Sequence, residues 1–103
     1  MNFLNANDFA GEKAWDALDL AVVEGASIRL HWTDKPYEWH VNDGKEVFVV
    51  LEGKVKMFYK ECGETRHYMM GEGSLFIAEE GEEHVAHPQG VARVLVIEKV
   101  GSI

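Results

Sequence analysis

Two histidines, an asparagine and a glutamate have the types and the spacing of a metal site. One residue stands between His40 and Asn42, so in a strand both side chains lie on the same face. The Asn-Asp-Gly turn then reverses the chain, and Glu46 at the start of the next strand can face the same point. His84 begins a much later strand, and in a closed barrel it can arrive from the opposite sheet. Two imidazoles and a carboxylate suit iron(II), manganese, nickel, cobalt or zinc and leave coordination positions open.

The sequence gives weaker support to the other candidate functional residues. Asn42 can offer its carboxamide oxygen to a metal, or it can cap the turn that follows it. His31 lies in a strand whose facing the sequence does not fix, and if it points inward it can serve in acid–base chemistry. His87 lies three residues after His84 and is predicted to face the other way. Cys62 has no activating partner nearby in sequence, so we do not predict that it is a nucleophile.

The elements that must position these residues are short apolar runs of strand length, bounded by Gly, Asp, Pro and Glu. They predict about eight strands, including a hairpin of residues 20–23 and 26–33 that turns at Glu24-Gly25. Residues 7–18 are the one segment with a helical pattern. Such a series predicts an all-β sandwich or closed barrel.

Three of the strand runs, residues 47–51, 75–78 and 94–97, are apolar on both faces and therefore need cover outside as well as inside. Val47, Val49 and Leu51 alternate with the predicted inward residues and should lie on the outer face. We therefore predict that a second subunit covers this face, in a homodimer.

Composition limits the possible partners. The 103 residues form one domain, 47% of them are apolar, and eighteen acidic against ten basic residues give a formal charge of −8. This charge disfavours nucleic acid and anionic membranes as partners. The sequence shows no secretory signal and no membrane span, and its single cysteine suits a reducing cytoplasm. These features predict a soluble cytoplasmic protein.

Two motifs carry a resemblance to a known family. The pattern His40-x-Asn42-x3-Glu46-x6-Gly53 resembles the first cupin motif, which reads His-x-His, three or four residues, Glu, six residues, Gly. The pattern Gly73-x5-Glu79-x-Gly81-x2-His84 is similar to the second cupin motif, which has a proline where Glu79 stands. Asn42 stands where the family usually has its second metal-binding histidine.

The resemblance implies a fold and a set of ligands. It implies a small double-sheet jelly-roll barrel over residues 20–103, with residues 1–19 as an N-terminal extension packing on it. It carries the roles of metal ligands onto His40, Glu46 and His84, with Asn42 as a further, neutral oxygen ligand.

The function implied is that of a small cupin which binds or transforms a small oxygenated molecule at one divalent transition metal ion. Similar small cupins include sugar-phosphate isomerase-like, dioxygenase and decarboxylase proteins, so the reaction stays open. The alternative is a non-catalytic barrel that binds or senses a ligand, with a structural metal or none. The acidic loop of residues 79–83 disfavours strongly anionic ligands such as sugar phosphates.

Overall fold

A computed structural model describes residues 1–102, which contain one turn of 3-10 helix, Ala6–Asp8, and nine strands. The strands are β1 (Asp16–Val23), β2 (Ala26–Thr33), β3 (His40–Val41), β4 (Glu46–Glu52), β5 (Val55–Glu61), β6 (Glu64–Met70), β7 (Leu75–Ala78), β8 (Glu83–Pro88) and β9 (Ala92–Lys99). In this part of the chain no helix has the length and apolarity needed to cross a membrane.

The strands form two antiparallel sheets. The five-stranded sheet has the order β1-β2-β9-β4-β7, and the four-stranded sheet has the order β3-β8-β5-β6. The chain passes from one sheet to the other between β4 and β5 at Gly53, where φ is +85° and a Cβ atom would lie 2.4 Å from the carbonyl oxygen of Val91. Only glycine fits there without strain. The predicted all-β, double-sheet jelly roll is confirmed, and within residues 1–102 no strand pairing closes the two sheets into one barrel.

The N-terminal region differs from the prediction. Residues 7–18 do not form the predicted helix beyond the 3-10 turn that ends at Asp8. β1 already begins at Asp16 and pairs with β2 from Asp16 to Val23, with one irregularity between Asp19 and Ala21. Strand pairing outweighs a weak helical pattern because the edge of β2 satisfies the backbone of β1. Residues 16–19, which the resemblance placed in the extension, therefore belong to the sheet. Immediately before β1, Trp15 packs against the hydrophobic core.

The core lies between the two sheets and consists of inward-facing apolar side chains. Its buried members are Phe48, Val50, Val55, Met57, Met70, Ala86, Ala92, Val94 and Val96. Each large side chain buried here stabilises the fold by roughly 1.5–3 kcal/mol. The core fills one end of the interior and leaves the other end to polar residues.

The outward side of the five-stranded sheet, which we call the outer face, is apolar across all five strands. Residues that pair across an antiparallel ladder point to the same side. Two rows of paired residues therefore cross this face. They are Leu18, Leu30, Leu95, Val49 and Leu75, and Ala21, Ile28, Ile97, Val47 and Ile77. The predicted outward position of Val47 and Val49 agrees with the alternating burial along β4.

Candidate metal centre

The three residues predicted as metal ligands come together in the structure. His40, Glu46 and His84 each offer one ligand atom, and these atoms lie within 4.8 Å of one another. Glu46 is 6% exposed and His84 is 2% exposed. A buried carboxylate between two imidazoles indicates a functional site, since burying polar groups costs free energy unless they are paired.

The strands place these residues differently from the expectation. His40 in β3 pairs directly with His84 in β8, so both lie in the four-stranded sheet, with ring centroids 4.3 Å apart. Glu46 begins β4 and lies in the five-stranded sheet. The residue that arrives from the opposite sheet is therefore Glu46, and the expectation that His84 does so was wrong. The Asn-Asp-Gly turn carries the chain from one sheet to the other and does not close a hairpin.

Two hydrogen bonds hold the carboxylate of Glu46. Its Oε1 lies 3.2 Å from Nε2 of His84 and accepts a hydrogen bond of 3.0 Å from Nδ2 of Asn42. Burial by itself raises the pKa of the Glu46 carboxyl, but the hydrogen bonds from His84 and Asn42 outweigh burial and lower that pKa below its usual value. Glu46 is therefore a carboxylate near neutral pH, as a metal ligand must be.

Asn42 contacts both the site and the turn. Besides Glu46, its Nδ2 approaches the carbonyl oxygen of Gly44 at 3.5 Å. Its Oδ1 is buried and has no hydrogen-bond partner within residues 1–102. The carboxamide of Asn42 thus orients Glu46 through Nδ2, while its Oδ1, unpaired in the described chain, remains free to accept. The role of Asn42 as a metal ligand stays a prediction.

His40 is oriented by the main chain. Its Nδ1 lies 3.2 Å from the carbonyl oxygen of Glu38, and a proton on Nδ1 makes this bond. Nε2 then keeps its lone pair for a metal, which is the usual arrangement for histidine ligands in proteins. The ring also packs edge-on against Tyr37, with centroids 5.4 Å apart.

These residues fit a transition metal ion. Metal bonds of about 2.1 Å place two ligand atoms at most about 4.2 Å apart, so the group within 4.8 Å needs only small side-chain adjustments. Nδ1 of His84 and Oδ1 of Asn42 are buried polar atoms without partners in the described chain, and such atoms commonly mark a site completed by a missing group.

The site opens into a cavity of about 230 Å³ between the sheets. Its walls combine the predicted ligands with aromatic, charged and aliphatic side chains. They are Trp15, Arg29, His31, Tyr37, His40, Glu46, Phe48, His84, Ala86, Val96, Glu98 and Ser102. A concave site with a few converging polar groups is the usual form of a small-molecule site.

Sequence reasoning missed several residues of this cavity. Glu98 could have been found, because Val94, Val96 and Glu98 follow the two-residue period of a strand facing inward. Arg29 lies two residues from His31, so fixing the facing of either residue would have fixed both. Trp15 and Tyr37 lie outside the strands, and no local pattern indicates their position.

The remaining candidates are His31, His87 and Cys62, and of these only His31 lines the cavity. His31 lines the cavity, and its Nδ1 lies 3.4 Å from the carbonyl oxygen of Trp15. Burial lowers the pKa of His31, so it is neutral near pH 7. His87 packs on Phe58, with ring centroids 4.8 Å apart, and is not among the residues that line the cavity. Cys62 is an exposed free thiol in a turn.

Glu98 is the second carboxyl group of the cavity and pairs with Glu46 across the ladder between β9 and β4. Burial, followed by the neighbouring negative charges of Glu46 and Asp43, raises its pKa to about 7. Glu98 therefore holds a proton part of the time at neutral pH.

Solved structures of cupins share this fold. A cupin-2 domain containing protein from Shewanella frigidimarina has a TM-score of 0.79 with this chain and 22% sequence identity, over 93% of each chain. A cupin superfamily protein from Desulfitobacterium hafniense has a TM-score of 0.77 and 12% identity, over 92% of this chain and 86% of that chain. The chain thus has the fold of a small cupin domain.

A hydroquinone 1,2-dioxygenase in complex with Fe3+ is similar over a shorter part of its length. Its TM-score is 0.76 at 16% identity, over 87% of this chain and 29% of that chain. No protein-family model and no curated protein matches the sequence.

Proposed function

We propose that this chain is a small metal-binding cupin that binds or transforms a small oxygenated molecule at one divalent transition metal ion. The convergence of His40, Glu46 and His84 on one cavity carries this proposal. The similar hydroquinone dioxygenase was solved with Fe3+, which supports iron as one candidate element, here in its divalent state.

The chain's own residues have separate roles in this proposal. A bound divalent ion supplies Lewis acidity that polarises an oxygen of the ligand. The carbonyl of Glu38 orients His40, and Asn42 orients Glu46. Around the ligand, the aromatic side chains of the cavity wall exclude water. With its Nδ1 proton directed at the Trp15 carbonyl, His31 can accept a proton from the ligand at Nε2.

Elemental analysis of protein purified without chelator tests the site. We expect close to one transition metal ion per chain, and we expect His84→Ala and Glu46→Ala each to lose most of it while circular dichroism shows an intact fold. His87→Ala is the matched control, because His87 lies on the same strand and packs on Phe58.

Two results would count against the metal site. Unchanged metal content in both variants would refute the ligand assignment. A wild-type protein that stays metal-free after incubation with iron, cobalt and zinc would support the alternative function, a non-catalytic barrel that binds a small ligand.

We also propose that the outer face binds a second copy of the chain. Leu75 and Ile77 on the edge strand β7 are 63% and 57% exposed, and they continue the two apolar rows of that face. Because an apolar surface is complementary to itself, two copies can pack along these rows across a two-fold axis. Location in the cytoplasm, which the single cysteine favours, stays a prediction.

Light scattering at micromolar concentration tests the dimer. We expect twice the mass of the chain for wild type and a monomer for Ile77→Glu. The control is Met69→Glu, which places the same charge at an exposed apolar residue of the other sheet. A wild-type monomer, or equal effects of both substitutions, would contradict the proposed interface.

A further inference from the structure

Arg29 is a charged group of the cavity that the metal site does not use. Building on the proposed function, we propose that the ligand is a small carboxylic acid: its oxygenated end lies at His40, Glu46 and His84, and its carboxylate pairs with Arg29.

Arg29 is held in place and still has donors available. Its Nε donates to Oδ1 of Asp19 at 2.7 Å, and Arg29 lines the cavity while Asp19 lies exposed outside it. Among residues 1–102 the two terminal nitrogens of Arg29 have no hydrogen-bond partner. Two parallel N–H groups of a guanidinium match the two oxygens of a carboxylate, which makes arginine the preferred partner for that group.

The strand ladder sets the distance between the two ends of the site. Arg29 lies on β2 and Glu46 on β4, with β9 between them. Their backbones are therefore separated by two strand spacings of about 4.8 Å across the sheet and by two residues along the strands. Arg29 pairs with Val96 on β9, and Val96 pairs with Phe48 on β4. An apolar floor therefore lies between the guanidinium group and the three metal ligands. A ligand that fits both ends has an apolar body of about one ring and polar groups at opposite ends.

The charged groups of a loaded site would not repel a single negative charge. A divalent ion and Arg29 bring three positive charges, and Glu46 and Asp19 bring two negative ones. Full ionisation of Glu98, which also lines the cavity, brings the negative charges to three, which equals the positive total. None of the glutamates in the acidic loop of residues 79–83 is among the residues that line the cavity. The expectation from sequence, that this loop disfavours strongly anionic ligands such as sugar phosphates, does not extend to a singly charged carboxylate.

A matched pair of probes tests the pairing with Arg29. 3,4-Dihydroxybenzoate has two oxygen donors at one end of a ring and a carboxylate at the other, and 3,4-dihydroxybenzamide replaces that carboxylate with a neutral amide of the same shape. Titration of cobalt-loaded protein, followed by its visible absorption, measures the affinity for each probe. We expect wild type to bind the acid at least about tenfold more tightly than the amide.

Substitution of Arg29 separates charge pairing from general fit. We expect Arg29→Gln to weaken binding of the acid by about tenfold or more and to leave binding of the amide unchanged, which also shows that the cavity is intact. Arg66→Gln is the control, because Arg66 is likewise paired with carboxylates but lies exposed on β6 of the other sheet. It should change neither affinity.

The outcomes distinguish this inference from the proposed function. Equal affinities for acid and amide in wild type, an unchanged preference in Arg29→Gln, or no binding of either probe to metal-loaded protein would each overturn the carboxylate pairing. The metal site itself would still stand on its elemental analysis. A chain that binds no metal would instead refute the proposed function.

Discussion

The two ends of the interior differ in chemistry although the same strands build both. On β4 the inward residues run from Val50 through Phe48 to Glu46, and on β9 they run from Val94 through Val96 to Glu98. At one end apolar side chains fill the space between the sheets, and at the other end two carboxyl groups share a cavity with histidines.

Along β4 and β9, the apolar end contributes to stability and the polar end to function. Apolar burial stabilises the fold, whereas the buried carboxylate of Glu46 needs hydrogen bonds from His84 and Asn42 to offset the cost of burial. A role in binding explains this polar end of the interior better than a role in folding does. Substitutions at the two ends should therefore have opposite effects.

The largest expected effect on stability is at the apolar end. Met57 is fully buried in the core, so Met57→Ala should lower the free energy of unfolding by about 2–5 kcal/mol, because it leaves a cavity in the core. Urea denaturation measures this change, and metal content should stay at the wild-type level. Met69→Ala is the control, since Met69 is exposed and its loss should cost less than about 0.5 kcal/mol. A large loss of metal from Met57→Ala would show that the two ends are not independent.

The complementary substitution is Glu46→Gln at the polar end. The amide oxygen of glutamine can still accept from Asn42 and His84, so we expect the free energy of unfolding of metal-free protein to change by less than about 1 kcal/mol. Loss of the negative charge should weaken metal binding by at least about tenfold. Competition with a chelator measures the affinity. Full metal affinity in this variant would remove Glu46 from the ligand set.

Asn42→His tests whether a further residue of the polar end binds the metal. If the carboxamide oxygen is a ligand, imidazole should bind nickel, zinc or cobalt more tightly by at least about tenfold, or roughly 1.4 kcal/mol. If Asn42 instead caps its turn and orients Glu46, the substitution should lower the melting temperature and leave metal affinity unchanged. Chelator competition and thermal melts of both proteins distinguish the two roles.

The smallest expected effect is the pH dependence due to Glu98. Its pKa of about 7 in the folded state lies above the ordinary value of 4.5, so between these pH values the folded protein holds a proton that the unfolded chain has lost. The free energy of unfolding of metal-free protein should therefore fall as pH rises from 4.5 to 7.

Glu98→Gln removes this dependence. We expect the variant to melt like wild type near pH 4 and roughly 4 °C higher at pH 8, a modest shift because Glu98 is only half-buried. The exposed Glu72→Gln should show no such difference. Equal melting curves at pH 8 would mean that solvent screens Glu98 fully.

Local pattern determined much of this protein. The two-residue period and the turn residues predicted most of the strands, and the hairpin at Glu24-Gly25 is present, with positive φ at both residues. The spacing of His40, Glu46 and His84, together with the motifs that contain them, predicted a cluster that the structure contains. The strand prediction succeeds because side-chain direction in a strand depends only on neighbouring residues, whereas the cluster of three residues was predicted from the resemblance of the motifs.

Which distant strands pair, and from which sheet each site residue comes, depends on the tertiary structure. The sequence did not indicate that His40 would lie directly across from His84, or that Glu46 would come from the other sheet, because pairing between distant strands depends on the whole topology. For the same reason Arg29 and Trp15 joined the cavity without a local signal. The weak helical pattern of residues 7–18 gave way to β1 because the edge of β2 offered hydrogen bonds that no isolated segment can supply.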